Sequence, residues 1–210
     1  MSSRIQTLGI LGAGRVGKAV GALAARAGID VAIAGSADAV DAVVVADAVV
    51  LAVPLGRYRS LPAERLAGCV VVDAMNYWWE LDGARPDLDD PTTSTSETVA
   101  TFLPGARVVK ALNHLSGYAL EELARPAGDP ERIAVALAGD DDEAVALVAG
   151  LVDALGYDPV TAGSLAEGMR FEPGTELFGA DADAQEARAM VERFWTTQRG
   201  RVVARARAAR

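Results

Sequence analysis

The residues best suited to chemistry stand near the N-terminus, in the string Gly12-Ala13-Gly14-Arg15-Val16-Gly17. A G-x-G-x-x-G string is informative only where it joins a strand to a helix. Here it follows the apolar run 5–11 and opens an amphipathic pattern over 15–27. In that setting Gly12 permits a tight turn, Gly14 lets backbone approach a diphosphate, and Gly17 lets the helix pack on the strand. Free N–H groups at the helix start, aided by the helix dipole, face the anion. About 20 residues further on, a dinucleotide site selective for NAD would place a carboxylate on the ribose 2'-hydroxyl. This chain reads Ala34-Gly35-Ser36 there. With no carboxylate to repel a 2'-phosphate, and with Ser36 and Arg15 in reach, the pattern favours NADP(H) over NAD. Asp38 is the residue that could take the acidic role instead.

Three more apolar runs end in Ala52-Val53-Pro54, Asp73-Ala74-Met75-Asn76 and Lys110-Ala111-Leu112-Asn113-His114. Ligands of open parallel sheets lie outside the carboxyl ends of the strands. Val53, Pro54, Ala74, Asn76 and Asn113 therefore join the glycine turn, Gly35 and Ser36 as expected cofactor contacts. No catalytic set stands out, and Asn76, Asn113 and His114 are the candidates beside a nicotinamide. An asparagine after a strand can equally build a turn by bonding its own backbone. His114, the only histidine, titrates near neutrality and could serve as general acid, or simply line or support the site. Tyr77-Trp78-Trp79 cannot all enter one core face, so at least one should line a crevice or interface and stack on a flat ring.

Other clusters read as structural. Asp140, Asp141 and Asp142 cannot all face one ion from a helix start, so they read as caps, and no metal is expected. Asp87, Asp89 and Asp90 read as solvated, Cys69 as a small core hydrophobe, and the five arginines of 199–210 as a solvated end.

Positioning these residues requires alternating strands and helices. Strands are expected at 5–11, 30–34, 48–53, 69–73, 107–111, 132–138 and 158–161, several apolar on both faces as in a sheet covered on both sides. Helices fit 15–27, 62–67, 95–103, 116–124 and 141–155. Ser94 and Glu97 have capping-box spacing, as do Asp140 and Glu143. Residues 78–93, with Gly83, Pro86 and Pro91, read as a long surface loop, a possible lid. The fold class is α/β: a Rossmann-type doubly wound, mostly parallel sheet over 1–162, followed by a small helical subdomain over 163–210.

The chain has 210 residues, 51% of them hydrophobic, a formal charge of −9 and one cysteine. That is enough for one sizeable core. The negative charge argues against nucleic acid and anionic membrane as partners. No stretch reaches the roughly 18 apolar residues of a membrane span, and no signal-peptide pattern opens the chain, so a cytoplasmic location is expected.

The series Gly12 to Gly17, Gly35-Ser36, Ala52-Val53-Pro54, Asp73 to Asn76, Lys110 to Asn113, Ala138-Gly139-Asp140-Asp141, Asp158-Pro159-Val160 and Ala162-Gly163 resembles the NADPH-dependent reductases of the deazaflavin coenzyme F-420. Asn76-Tyr77-Trp78-Trp79-Glu80 and Met169-Arg170-Phe171-Glu172-Pro173-Gly174 look like a bacterial branch of that family. The resemblance implies hydride transfer between NADPH and a planar small-molecule acceptor, a deazaflavin, a flavin or a related ring. It also implies a homodimer, with residues after Gly163 completing the acceptor site. A non-catalytic NADP-sensing module and a reductase of small carbonyl or imine substrates, with His114 as proton donor, are the alternatives. The chain departs from the pattern between Ser36 and Asp47, where a helix and edge strand are shortened to about ten residues, which truncates the adenine side.

Overall fold

The computed structural model describes residues 4–35 and 40–209. Ser36 and Asp38, both invoked for the choice of cofactor, lie outside the described residues. The strands are β1 (Thr7–Leu11), β2 (Asp30–Ala34), β3 (Ala48–Leu51), β4 (Val70–Asp73), β5 (Arg107–Ala111), β6 (Ala134–Gly139) and β7 (Asp158–Gly163). They form one sheet in the order β2-β1-β3-β4-β5-β6-β7. The first five are mutually parallel, β6 runs antiparallel to β5, and β7 is parallel to β6. Strand order reverses at β1, between β2 and β3, which is where such sheets open a crevice.

The helices are α1 (Arg15–Arg26), α2 (Asp41–Val44), α3 (Ala63–Leu66), α4 (Trp79–Asp82), α5 (Thr95–Phe102), α6 (Gly117–Glu122), α7 (Asp142–Ala154), α8 (Ala184–Arg193) and α9 (Gln198–Ala208). Three 3-10 helices, Leu55–Ser60, Leu165–Phe171 and Phe194–Thr196, are found besides these among the described residues. Successive strand residues point to opposite faces, and the core divides accordingly. Ala48, Val50, Val70 and Val72 pack with Val20 and Leu23 of α1, Leu120 of α6 and Val148 of α7. Val49, Leu51 and Val71 pack with Val43 of α2, Leu55, Tyr58, and Val99 of α5 on the other face. Both faces are buried, so these strands read as unbroken apolar runs.

Along β6, Val135 and Leu137 join the first face, while Ala134, Ala136 and Ala138 present a flat surface to Phe171, Leu177, Ala187 and Val191. The chain after β7 thereby covers the β6–β7 end of the sheet. Phe171 is fully buried, and a change to alanine there would cost about 3 to 5 kcal/mol through lost transfer energy and the cavity left behind.

Several expectations need correction. Strand β3 ends at Leu51, because after the Ala52 N–H bonds the Leu11 carbonyl the chain turns away at Val53-Pro54. Helix α7 is capped by Asp141, whose side chain accepts from the Ala144 N–H, while Asp140 accepts from the Leu165 N–H. The segment 78–93 is pinned rather than open. Asp87 accepts from Arg85, from the Tyr58 hydroxyl at 2.7 Å and from Arg59, and these partners, Arg85 first, hold its carboxyl well below the usual range. The arginine-rich end is a docked helix: Arg199 pairs with the buried Glu172, and Arg207 bonds the Thr92 and Ala166 carbonyls. Ser94 and Glu97 form the expected capping box on α5. Among the described residues, no helix is long and apolar enough to cross a membrane, and no three acidic, histidine or cysteine side chains cluster as metal ligands.

Candidate cofactor site

The glycine turn sits between the carboxyl end of β1 and the start of α1. Gly12 has φ +122°, a conformation that disfavours other residues, and a Cβ there would fall 2.3 Å from the Ala52 carbonyl oxygen. A Cβ at the buried Gly17 would fall 1.9 Å from the Gly12 carbonyl oxygen, so this glycine is where the helix and the turn touch. Gly14 differs: an added Cβ would meet no protein atom within 4 Å. Its missing side chain leaves open space instead of admitting a neighbouring chain segment.

Helix α1 begins at Gly14 without a side-chain cap and without an acid in its first turn. By contrast α5, α7 and α8 are capped by Ser94, Asp141 and Asp183 and carry acids in their first turns. The first N–H groups of α1 thus need an external acceptor, and an anion satisfies them best.

A crevice of about 580 Å³ opens here, within the usual range for cofactor pockets. Its floor is Leu11, Gly12, Ala13, Gly14, Ala34 and Gly35, and its far wall is Ala52, Val53, Pro54, Arg57 and Ser60. A diphosphate at Gly14 would lie against uncapped N–H groups with no side chain in its way, so these residues fit a dinucleotide. Arg15 is exposed at the helix start and Val16 is half-buried behind it. Both belong to the turn but not to the crevice lining.

Ala74 is buried and its N–H bonds the Leu51 carbonyl, extending the β3–β4 ladder. Next to it, Asn76 and Asn113 are brought together from the ends of β4 and β5. Asn76 Nδ2 donates to the Asn113 carbonyl at 2.7 Å, and Asn113 Nδ2 donates to Asn76 Oδ1 at 3.1 Å and to the Phe171 carbonyl at 3.0 Å. Asn113 is buried, with Oδ1 unpaired. It follows Leu112, which has φ +64°; no other non-glycine residue among those described has positive φ. A buried leucine held there stores strain of about 1 to 3 kcal/mol, of the kind that concentrates at functional sites.

His114 is placed differently from a proton donor. It is fully buried, its Nε2 accepts from the Ala136 N–H at 3.0 Å, and burial pushes its pKa down to about 4. A neutral ring whose Nε2 lone pair is committed to β6 cannot deliver a proton to a substrate from that atom. Of the roles the sequence leaves open for His114, general acid or support of the site, the bond from Nε2 favours support, a tie by which the end of β5 grips β6.

Of the three aromatics, Tyr77 is half-buried and its hydroxyl donates to the Gly83 carbonyl. Trp78 is 41% exposed, with its ring edge-on to Phe178 at 5.7 Å, and Trp79 is more exposed still. The chain that carries Phe178 is fixed to the site, because the Gly179 N–H bonds the His114 carbonyl.

A buried network behind Asn76 is not apparent from the glycine motif. Lys110 and Asp73 occupy the same register on β5 and β4, and both are fully buried. Their charged atoms are 3.7 Å apart, bridged by Ser96, which donates to Asp73 at 2.6 Å and accepts from Lys110 at 3.1 Å. Lys110 also donates to the Met75 carbonyl and to Thr95, whose N–H and hydroxyl both donate to Glu172. The signal for it in the sequence is one charge at the same point of two adjacent apolar strands.

No family model matches the chain. The protein YjhV of Escherichia coli K12 is 40% identical over 75 residues, a match to 36% of this chain that spans about half (53%) of that relative. A hypothetical protein from Sinorhizobium meliloti has a solved structure that superposes with TM-score 0.73 at 29% identity, over 84% of this chain and 94% of that one. A candidate F420-dependent NADP-reductase from Arthrobacter superposes with TM-score 0.63 at 24% identity, over 91% of this chain and 94% of that one. At 24% identity the likeness to the Arthrobacter protein is one of fold, and it extends over most of both chains.

Proposed function

We propose that this protein is an NADP(H)-dependent oxidoreductase that transfers a hydride between NADPH and a planar acceptor. The observation that carries the reading is the open space at Gly14 over the uncapped start of α1, inside a crevice at the strand-order reversal. When bound, the cofactor supplies the hydride. The chain's own task is to hold two flat molecules in register and to exclude water.

Gly12, Ala13 and Gly14 cradle the diphosphate, with Arg15, Val16 and Gly17 forming the helix turn behind it. Gly35, at the end of β2, lies toward the adenosine ribose. Val53 and Pro54 line the crevice, and Ala74, Asn76 and Asn113, at the ends of β4 and β5, lie toward the nicotinamide. The Asn76–Asn113 pair fixes the ends of β4 and β5, while Trp78 and Phe178 offer an apolar edge against which a second ring can lie. Residues 163–210 act as a unit on the acceptor side and carry the contacts of a homodimer. Three contacts support the acceptor-side assignment: Phe171 with Asn113, Gly179 with His114, and Phe178 with Trp78. The site belongs to a cytoplasmic enzyme acting on a small-molecule acceptor, a deazaflavin or a flavin.

Isothermal titration with NADPH and NADH tests the first half, and binding of neither overturns it. NADPH oxidation with deazaflavin, flavin and ferric acceptors tests the second. Turnover with a ring acceptor that falls at least about 10-fold in Trp78→Ala is expected. Tight NADPH binding without turnover on any acceptor would identify a sensing module instead.

A further inference from the structure

We infer that Arg57, in the segment that follows β3, selects NADP(H) over NAD(H) by binding the 2'-phosphate; the inference rests on the function proposed above. Gly35 and Val40, described residues of the link between β2 and β3, line one side of the adenosine end of the crevice. The 3-10 helix Leu55–Ser60 supplies a wall across from them. With three residues per turn, its side chains fall into stripes three apart. Leu55, Tyr58 and Leu61 are buried and anchor the segment to the core. Gly56 and Arg59 face the pinned 78–93 segment, where the Gly56 N–H bonds Asp82 and Arg59 pairs with Asp87. The remaining stripe, Pro54, Arg57 and Ser60, lines the same crevice as Gly35 at the end of β2.

Charge distinguishes Arg57 from its neighbours. Arg59 and Arg85 pair with Asp87, and Arg65 pairs with Asp41. The exposed guanidinium of Arg57 makes no hydrogen bond or ion pair with any described residue. The Arg57 backbone is braced by Ser60, whose hydroxyl donates to the Arg57 carbonyl at 2.7 Å, and its side chain lines the crevice. A planar fork of donors with no partner among the described residues, at the ribose end of a crevice whose other end fits a diphosphate, matches a phosphate monoester.

The test is isothermal titration of the full chain with NADPH and with NADH, for the unchanged protein and for Arg57→Ala, Arg57→Lys and Arg59→Ala, at low and high salt. The unchanged protein should prefer NADPH. Arg57→Ala should weaken NADPH about 10- to 100-fold, as loss of a charge-assisted bond does, and shift NADH by less than about twofold. Arg57→Lys should keep part of the preference, and Arg59→Ala should leave it intact. Thermal melts should coincide across the set. An equal loss for both nucleotides would show that Arg57 only covers the adenine, and an unchanged NADPH affinity would show no contact. Either result overturns the inference while leaving the proposed function standing. Failure of the unchanged protein to bind either nucleotide overturns both.

Discussion

Asn76 and Asn113 hold each other by reciprocal hydrogen bonds, the amide of each donating to the other residue, across the ends of two parallel strands. Neither strand end could fix its asparagine alone. The bond from Asn113 to the Phe171 carbonyl extends the clasp to the chain beyond β7. Asn113→Ala would leave the Phe171 carbonyl buried without a donor and remove one of the two bonds that hold the Asn76 side chain, the bond to the residue 113 carbonyl remaining. A stability loss of about 2 kcal/mol is expected in chemical denaturation, with kcat reduced more than the affinity for NADPH. Unchanged kcat in a folded variant would remove the clasp from the site's working parts.

Two glycines of the turn separate stability from binding. Gly14 has φ −75° and room for a Cβ, so Gly14→Ala should fold with a loss below about 1 kcal/mol, yet weaken NADPH by at least about 10-fold by filling the diphosphate's place. Gly12→Ala should lower the melting temperature sharply, since its φ and the Ala52 carbonyl both resist a side chain. Full NADPH affinity in Gly14→Ala would count against a diphosphate at that position.

His114 makes stability depend on acidity in a defined window. The unfolded chain binds a proton at the ordinary value of 6.5, while the buried ring resists it until about pH 4. Between those values the unfolded state takes up a proton that the folded state refuses. Stability should therefore be fully present above pH 6.5 and fall by about 3 kcal/mol as pH drops to 4. His114→Gln, which keeps an acceptor for the Ala136 N–H, should lack that part of the decline. Urea denaturation of both proteins at pH 7, 5 and 4 measures the difference. Parallel curves would mean that the ring already takes a proton in the fold.

Lys110 and Asp73 form a charged pair sealed from water. Lys110→Met should cost about 3 to 5 kcal/mol, because the carboxylate is left buried without its counter-charge. Adding Asp73→Asn should recover part of the loss. A double-mutant cycle by denaturation reads the coupling, and additive losses would mean that the two groups act independently.

Much of the fold is legible along the chain. The valine runs of β3 and β4, buried on both faces, declare themselves as central strands, and Ser94 with Glu97 marks the start of α5 by local spacing alone. The glycine turn is legible because each glycine answers a local backbone demand. Arg57 is not, because the Leu55–Tyr58–Leu61 stripe has a period of three in a segment too short to stand out. The arginine-rich end looks solvated in the sequence because its partners, Glu172 and the Thr92 carbonyl, lie 27 and 115 residues away. Asp87 looks solvated for the same reason, with Tyr58 and Arg59 reaching it from 29 and 28 residues upstream.

By itself, then, the sequence determined the alternation of strands and helices and the turn at Gly12 to Gly17, since both follow from side-chain periodicity and backbone freedom within a few residues. Tertiary structure decided which polar residues face the crevice and which are sealed behind it. His114 and Arg57 are the two sides of that decision. The histidine, next to a strand end, is turned into the core to serve β6, and the arginine, in a short 3-10 turn, lines the crevice with no counter-charge among the described residues. Burial and partner choice are set by chain segments far apart in sequence, and only their packing fixes them.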